Sequence, residues 1–552
     1  MKKYLLILII LLAFVLRFYK LGTIPALNAD EAAIGYNAYS LLLTGKDEHG
    51  NSWPIHFQSF NDYKPGLYFY MVLPFVKLIG LNEWAVRIPG ATLGVLTVLI
   101  IYLLTKELFK NEKISIFSAL LLAISPWHIH FSRGGWEVNL ATFLITLGVW
   151  LFLKYVNSSK EKYLYLSVLS FIASLYSYHA ARVIVPLLGI SLAIIYRDIF
   201  LRRNNLKPII LNSLFVILLL IPLAKDLLGP AGISRAAGVG LFANSGPLNR
   251  VNEQRGEHTN FISFIPMILH NKATNYGLAF LENWISHYSG EFLFLSGDAI
   301  QRNKVPETGQ LYLFEIVTVL LGAIFLLKSS IINRKSVLLI FSWFLIAPLA
   351  SALTFQSPHA LRAHNMVIPL TIVSAIGLNQ IVIWLLARKR YAQALAGGLV
   401  IIITWSFMRY EHMYWVHMSK EYPFSSQYGV KELVSYLNET VESRYKKAVV
   451  TDRYDQPYIL FLFYGEAGYS LKYDPAKFQG EHILTPRDQY GFSTVRSFGK
   501  YTFTSIVNWD KAREEFRDSL IAGTDEEILP GTNVVKEIYG INGYKYFEVV
   551  AN

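Results

Sequence analysis

The sequence contains no cysteine and few charged residues. Of its 552 residues none is Cys, and only 16% are Asp, Glu, Lys or Arg. The lack of cysteine excludes a disulfide framework, a thiolate metal site and a cysteine nucleophile. Soluble chains carry about 25% charge, so the low charge and the 53% of hydrophobic residues indicate a membrane protein. No basic module interleaved with aromatic residues is present, so we expect no nucleic-acid partner.

Apolar runs recur along the first three quarters of the chain. A spanning helix needs about 17–25 apolar residues. We therefore predict about eleven transmembrane helices, at residues 4–19, 88–108, 114–130, 138–156, 162–178, 181–197, 208–226, 309–328, 336–354, 366–387 and 394–410. The first run could instead be a signal peptide, but Asn28-Ala29-Asp30 is a poor cleavage site and favours a retained helix.

Positive charge is concentrated in alternate connections. Starting with the N-terminus, these segments hold 18 Lys and Arg, whereas three short loops on the opposite side hold one each: Arg133, Arg182 and Arg362. This bias predicts a cytoplasmic N-terminus in the cell (plasma) membrane. Two long loops, at about 20–87 and 227–308, and the C-terminal region are then expected to be extracytoplasmic.

Two domains are predicted in a mostly α fold: a multi-span catalytic domain at 1–411 and a small extracytoplasmic α/β domain at 412–552. The second has amphipathic helix patterns at Tyr428–Tyr445 and Trp509–Ile521, between short β-rich runs. It contains no nucleophile elbow, phosphate loop or metal signature. Acceptor recognition and structural capping are both open as its role.

The first outer loop begins with an acidic pair, Asp30-Glu31. The segment Asp30–Thr44 has apolar residues at helical spacing without spanning length, which predicts an interfacial helix. Asp30 or Asn28 can cap this helix, so capping competes with catalysis as the role of Asp30.

A lysine precedes a proline later in the same loop. Lys64-Pro65 stands before an aromatic-rich, apolar segment that extends to Gly80. A helix N-terminus with an adjacent lysine is a natural phosphate site. The alternative is an interfacial lysine that faces lipid phosphates.

Histidine, arginine and glutamate side chains recur at the other outer turns. They are Arg133 with Glu137, His179 with Arg182, and His359 with Arg362. A His/Arg pair can bind phosphate through charge-assisted hydrogen bonds, whereas the alternative is a set of snorkelling or salt-bridged interfacial groups. Carboxylates and cations on one face are what glycosyl transfer from a lipid phosphate needs.

Residues 17–109 resemble the GT-C glycosyltransferases of the protein O-mannosyltransferase and lipid A aminoarabinose transferase type. The resemblance is carried by Asp30-Glu31, Lys64-Pro65 and Glu83-Trp84-Ala85-Val86-Arg87-Ile88-Pro89. It implies a membrane transferase of cell-envelope glycosylation, hexosyl or pentosyl, usually inverting. The implied partners are a polyprenyl-phosphate-linked sugar donor, membrane lipids, and a hydroxyl acceptor on a protein, glycan or lipid.

The resemblance also implies roles for single residues. Asp30 activates or positions the acceptor, and the donor phosphate contacts Lys64. Glu137 matches a further acidic position, and Arg133, Arg182 and Arg362 match phosphate-side positions. The residues themselves add Glu31 as a catalytic candidate that can orient Asp30, and His179 and His359 as phosphate candidates through their pairing with an arginine.

The sequence departs from this family at two positions. Tyr63 replaces an acidic residue that often precedes the lysine, and Gly66 replaces a second proline. We therefore expect no obligatory metal cofactor, while a divalent cation stays possible. The alternative function is a transporter or flippase of lipid-linked sugars, for which internal repeats and broken helices near the bilayer midplane are typical. The clustering of the polar residues at one face favours an enzyme.

Overall fold

A computed structural model describes residues 2–552 except 61, 201–205, 230–231, 233–237, 260–262, 329–331, 389–390, 423–426, 442–444, 455, 466–472 and 487–492. The chain divides into two compact units. The helical unit comprises Met1–Arg17, Ala91–Ser132 and Trp136–Glu411. The mixed unit comprises Phe18–Gly90, Arg133–Gly135 and His412–Asn552, so it combines the predicted first outer loop with the predicted C-terminal domain.

Helices account for most of the described residues, as predicted. The helical unit, with the helices that cross its boundaries, contains Lys2–Phe18, Glu83–Phe109, Glu112–Ile124, Pro126–Ser132, Glu137–Ser158, Glu161–Leu175, Ala181–Ile195, Arg197–Phe200, Leu206–Leu227, Leu241–Ala243, Gly246–Gly256, Phe264–Leu269, Lys272–Ser286, Glu291–Leu295, Gln301–Asn303, Glu315–Lys328, Arg334–Ile346, Leu349–Ala352, His364–Met366, Val367–Ala387 and Ala392–His412.

Six of the described helices are long and apolar enough to cross a membrane, which makes this a multi-pass membrane protein. A seventh span results if Glu112–Ile124 and Pro126–Ser132, bent by 57°, count as one. Helices also cover the other four predicted spans, but they have only 14 to 17 residues. The count of eleven is therefore not confirmed.

Small residues allow two apolar helices of the helical unit to touch. A Cβ on Gly322 would overlap the carbonyl oxygen of Val373, and one on Gly377 would overlap that of Thr318. The Thr318 and Ser374 hydroxyls share a hydrogen bond of 2.7 Å at the same crossing. Glycine at both contact points lets the backbones of Glu315–Lys328 and Val367–Ala387 approach directly.

The mixed unit contains two sheets and eight helices among its described residues. The helices are Ala29–Thr44, Leu67–Ile79, Met413–His417, Met418–Glu421, Val430–Val441, Pro457–Tyr464, Pro475–Glu481 and Trp509–Glu515. The strands are β1 (His56–Ser59), β2 (Asp62–Pro65), β3 (Lys447–Val450), β4 (Ile483–Leu484), β5 (Val495–Phe498), β6 (Tyr501–Phe503), β7 (Ser519–Gly523), β8 (Val534–Tyr539) and β9 (Lys545–Ala551).

The larger sheet has the order β4-β5-β6-β3-β7-β9-β8. Strand β3 runs parallel to β6 and β7, and the other pairs are antiparallel. The smaller sheet is the antiparallel pair of β1 and β2 in the first loop. Because central β3 and β7 have apolar side chains on both faces, helices of this unit can cover the sheet from either side.

One predicted helix of this unit is too long. The sequence pattern predicted a helix over Trp509–Ile521. In the structure this helix ends at Glu515, and residues 519–523 form β7. Asp518 has a φ of 55°, which a continuing right-handed helix cannot contain. Every residue of β7 is buried, and burial in the sheet overrides the helical periodicity. The other predicted helix, Tyr428–Tyr445, is observed as Val430–Val441, and its residues 442–444 lie outside the described ranges.

Candidate active site

Asn28, rather than Asp30, caps the helix that begins the first loop. We call Ala29–Thr44 the first-loop helix. The Asn28 side chain accepts a hydrogen bond of 3.0 Å from the Glu31 backbone N–H, and the Glu31 side chain accepts one from the Asn28 backbone. This reciprocal arrangement is a capping box. Since Asn28 caps the helix, the carboxylate of Asp30 can make other contacts.

The structure brings Asp30 and Lys64 together. The Lys64 Nζ lies 2.5 Å from the Asp30 Oδ1, although 34 residues separate the two in sequence. Lys64 lies on β2, opposite Phe57 of β1. The side chains of Asp30 and Lys64 are 20% and 15% exposed, so the pair is partly shielded from solvent.

Glu31 forms a second ion pair that is fully buried. Its two carboxylate oxygens accept hydrogen bonds of 2.7 Å from Nε and Nη2 of Arg87. One of them also accepts a bond of 2.8 Å from the Gly135 backbone N–H. Arg87 uses Nη1 to donate to the carbonyls of Leu21 and Pro25, each at 2.9 Å. This ion pair therefore joins the segment before the first-loop helix to the start of helix Glu83–Phe109.

The contacts of Glu31 bear on its predicted catalytic role. Its oxygens accept five hydrogen bonds in all, from Arg87, Asn28 and Gly135. A carboxylate held in this way supports the position of its neighbour Asp30. No role was predicted for Arg87 from the sequence. The feature that could have indicated one is an arginine at the start of a long apolar helix.

Arg133 lies in the same unit, with its guanidinium bound by protein groups. Nε donates to the Tyr414 hydroxyl at 3.0 Å, and Nη2 donates to the Tyr19 carbonyl at 2.8 Å. The guanidinium carbon lies 4.6 Å from the centre of the Trp415 ring. Arg133 is fully buried, and these cation–π and carbonyl contacts hold its guanidinium in place. Its role beside the donor phosphate stays a prediction.

In the helical unit, three of the predicted phosphate-side residues line one cavity. This cavity of about 390 Å³ is bordered by His179, Arg182 and Arg362. Arg182 Nη1 lies 2.9 Å from His179 Nδ1, and Arg362 Nη1 donates to the Thr354 hydroxyl at 2.7 Å. The apolar part of the lining includes Leu227, Leu241, Phe242 and Leu353. Cationic and apolar walls in a volume of this size suit an amphiphilic anion.

His359 is not among the described residues that line this cavity. Its Nδ1 lies 3.6 Å from Oδ2 of Asp298, which is 1% exposed. Oδ2 of Asp298 also accepts a hydrogen bond of 2.6 Å from the Ala360 backbone N–H. Burial raises the pKa of Asp298 above its usual value. His359 and Asp298 thus fix the backbone of the turn that leads to Arg362.

Glu137, the third predicted catalytic acid, is the first residue of helix Glu137–Ser158 in the helical unit. It is 7% exposed. Within the described ranges, no group of three or more His, Asp or Glu is arranged to hold a metal ion. The independence from a metal therefore stays a prediction.

A family model matches part of the chain. Residues 63–224 match the family described as dolichyl-phosphate-mannose-protein mannosyltransferase. An uncharacterized protein of Aquifex aeolicus (strain VF5) is 29% identical over 170 residues, which are 31% of this chain and 33% of that protein. The match thus spans a third of this relative's length.

Solved structures share the fold. ArnT from Cupriavidus metallidurans bound to undecaprenyl phosphate has a TM-score of 0.54 at 11% identity, with 98% of this chain and 97% of that chain covered. Oligosaccharyltransferase AglB from Archaeoglobus fulgidus, in complex with an inhibitory peptide and a dolichol-phosphate, has a TM-score of 0.53 at 14% identity, with 99% and 74% covered. Compared with another structure of that archaeal enzyme, in complex with zinc and sulfate, this chain covers 62% of the length of that chain.

These likenesses define the fold of the protein. The chain has the fold of the GT-C glycosyltransferases, a class of membrane enzymes. The family resemblance inferred from residues 17–109 is confirmed by the matched family model and by this fold.

Proposed function

We propose that this protein is a glycosyltransferase that moves a sugar from a polyprenyl-phosphate-linked donor to a hydroxyl acceptor at the outer face of the membrane. The observation that carries the proposal is the Asp30–Lys64 ion pair, with its N···O distance of 2.5 Å, at the start of the first-loop helix. The pair holds a carboxylate beside an ammonium, the two groups that acceptor activation and phosphate binding require.

Asp30 is proposed to act on the acceptor. Its carboxylate takes the proton of the acceptor hydroxyl, and the acceptor oxygen forms a bond to the anomeric carbon of the sugar. The bond between that carbon and the phosphate oxygen breaks, and its electron pair leaves with the polyprenyl phosphate. A single displacement of this kind inverts the anomeric configuration.

The cations are proposed to bind the donor. In the mixed unit, Lys64 is proposed to offer an ammonium to the phosphate. In the helical unit, Arg182 and Arg362, with His179 beside Arg182, are a further candidate set for an anionic lipid phosphate. Charge-assisted hydrogen bonds stabilise the negative charge that collects on the leaving phosphate. The solved complexes of ArnT with undecaprenyl phosphate and of AglB with dolichol-phosphate support a polyprenyl phosphate as ligand.

The buried carboxylates have supporting roles in this proposal. Glu31 holds the start of the first-loop helix through Arg87, and thereby sets the position of Asp30. Glu137, at the start of its own helix, stays a candidate second acid. Arg133 is assigned to the positioning of the segment around Tyr19, because its guanidinium is bound to that carbonyl.

The test is transfer by purified protein from a panel of synthetic polyprenyl-phosphate-linked sugars. Asp30→Asn should lower turnover by a factor of 100 or more, since general-base catalysis contributes about 10²–10⁴-fold, while donor binding stays within about twofold. Lys64→Met should weaken donor binding by about tenfold, the loss of one charge-assisted hydrogen bond.

The matched control is Asp510→Asn, which removes an exposed carboxylate near the start of another helix of the same unit. This substitution should leave turnover and donor binding unchanged. Unchanged turnover in Asp30→Asn would exclude the catalytic assignment. Movement of labelled lipid-linked sugar across proteoliposomes without any transfer would favour a flippase.

A further inference from the structure

Residues of the C-terminal region contact the first-loop helix at its first turn. The Ala29 backbone N–H donates a hydrogen bond of 2.5 Å to Oε1 of Gln427, which is 398 residues away in sequence and 6% exposed. The first N–H groups of a helix have no partner within the helix. Asn28 accepts the hydrogen bond of the Glu31 N–H. Gln427 accepts that of Ala29, the residue directly before Asp30.

The same region also contacts the middle of this helix. A Cβ added to Gly35 would lie 2.6 Å from the Phe463 ring, so glycine is required for this close approach. The Tyr36 hydroxyl donates to the Tyr473 carbonyl at 3.1 Å. The Tyr36 ring meets that of Phe478 edge to face at 6.3 Å. These side chains hold the helix against rotation about its axis.

At the end of the helix a third contact follows. Gln479 Nε2 donates to the Asp47 carbonyl at 2.7 Å and to the Ser40 hydroxyl at 3.2 Å. The helix has 16 residues and a length of about 24 Å at 1.5 Å per residue. Contacts at both ends and in the middle therefore fix its axial position as well as its rotation.

A fourth contact supports the lysine of the ion pair. The Tyr458 ring lies 6.0 Å from that of Phe60, and the Phe60 ring lies 5.7 Å from Lys64 Nζ. The Tyr458 hydroxyl donates to Oε1 of the buried Glu48 at 3.4 Å. Asp30 is therefore linked through Ala29, and Lys64 through Phe60, to side chains of the C-terminal region.

We propose that Gln427 is a positioning residue for Asp30, and that the C-terminal region forms part of the active centre. This inference rests on the proposed function of Asp30. Reaction rates depend on displacements of about 1 Å at a catalytic group. The Gln427 oxygen fixes the backbone one residue before Asp30, so its loss should displace the carboxylate without touching a donor-binding group.

The test compares three variants of the full-length protein in the transfer assay. Gln427→Met keeps the length of the side chain but removes the acceptor oxygen, and should lower kcat about tenfold with the KM for the donor within twofold. Gln427→Glu restores an acceptor oxygen and should return kcat to within about threefold of the wild type. This rescue separates a specific hydrogen bond from a general loss of packing.

Gln456→Met is a matched control. Gln456 also has a positive φ, 51° against 47° for Gln427, and its side-chain oxygen also accepts a hydrogen bond, but from Thr494 within the C-terminal region. Its substitution should leave kcat unchanged. An active wild type with equal kcat in Gln427→Met would overturn the positioning role while leaving the proposed function intact.

A second measurement does not depend on transfer. Amide hydrogen exchange over residues 29–33 should be at least tenfold faster in Gln427→Met than in Gln456→Met, because the start of the helix loses a fixed partner. Equal exchange in the two variants would overturn the inference. If the two variants differ in exchange but the wild type transfers no sugar, the proposed function is contradicted. The contact between Gln427 and the start of the helix is then still supported.

Discussion

Arg87 holds both carboxylate oxygens of Glu31 at 2.7 Å, and the two side chains are 0% and 1% exposed. Neither charge has access to water, so each depends on the other for stability. The pair also binds the carbonyls of Leu21 and Pro25, which precede the first-loop helix. The local structure around Asp30 is therefore set by two charges that are 56 residues apart in sequence.

Glu31→Gln should destabilise the protein strongly. The substitution leaves the buried guanidinium of Arg87 without a counter-charge, which costs about 3–5 kcal/mol of the free energy of unfolding. Thermal unfolding in detergent measures the loss. The matched control is Lys536→Met, which breaks a more exposed pair with Glu432 in the same unit and should cost at most about 1 kcal/mol. Similar losses in both variants would contradict a special role for the buried pair.

The cavity cations of the helical unit should bind an anionic lipid phosphate. Arg182→Gln removes a guanidinium from the cavity wall and should weaken the binding of a polyprenyl phosphate by about 10–100-fold, the equivalent of roughly 1.5–3 kcal/mol. Arg182→Lys keeps the charge and should lose less. Binding is measured by titration of purified protein in detergent.

The control for the cavity is Arg388→Gln, at the end of helix Val367–Ala387. Arg388 is not among the described residues that line the cavity, so its loss should not change the affinity. Equal weakening in Arg388→Gln and Arg182→Gln would show that the lipid phosphate responds only to net charge.

The turn after the first-loop helix should lose stability as the pH rises. Burial lowers the pKa of His49, but the close carboxylate of Glu48 and the charge of Asp47 outweigh burial and raise this pKa above 6.5. Nε2 of His49 lies 3.4 Å from Oε1 of Glu48. Since the folded state binds the proton more tightly than the unfolded state, the stabilisation is complete below about pH 6.5 and is lost as the pH rises through the folded pKa.

His49→Gln should remove this dependence. The measurement is the thermal midpoint at several pH values between 5 and 9, for the wild type and the variant. The wild type should lose more stability over this range than His49→Gln does. Parallel profiles of the two proteins would contradict the assignment to His49.

Local sequence features identified individual residues of the candidate site, but not their contacts. The acidic pair at Asp30-Glu31 and the lysine before Pro65 marked the first loop, and the structure joins Asp30 to Lys64. Helix periodicity over Asp30–Thr44 predicted the first-loop helix to within one residue. These features depend on local spacing, which a single sequence contains.

Contacts between distant residues could not be predicted in this way. Glu31 pairs with Arg87, 56 positions away, and Ala29 binds Gln427, 398 positions away. No periodicity links these residues. The pattern allowed either Asp30 or Asn28 as the helix cap, and only the hydrogen bonds of Asn28 show which residue it is. Arg133, like Arg182 and Arg362, was the single positive residue of a short predicted outer loop, yet tertiary packing places it on aromatic rings.

The contact between Gly322 and helix Val367–Ala387 gives a prediction about the membrane part. Gly377→Ala adds a methyl group where a backbone carbonyl already lies, and neither helix can move without loss of packing. Overpacking costs about 1–3 kcal/mol, and a clash with backbone belongs at the upper end of that range.

Gly397→Ala is the matched control, because a Cβ there meets nothing within 4 Å. In the interior of a helix this change gains about 0.5–1 kcal/mol. Thermal unfolding in detergent should therefore shift in opposite directions, and equal shifts would contradict the direct backbone contact.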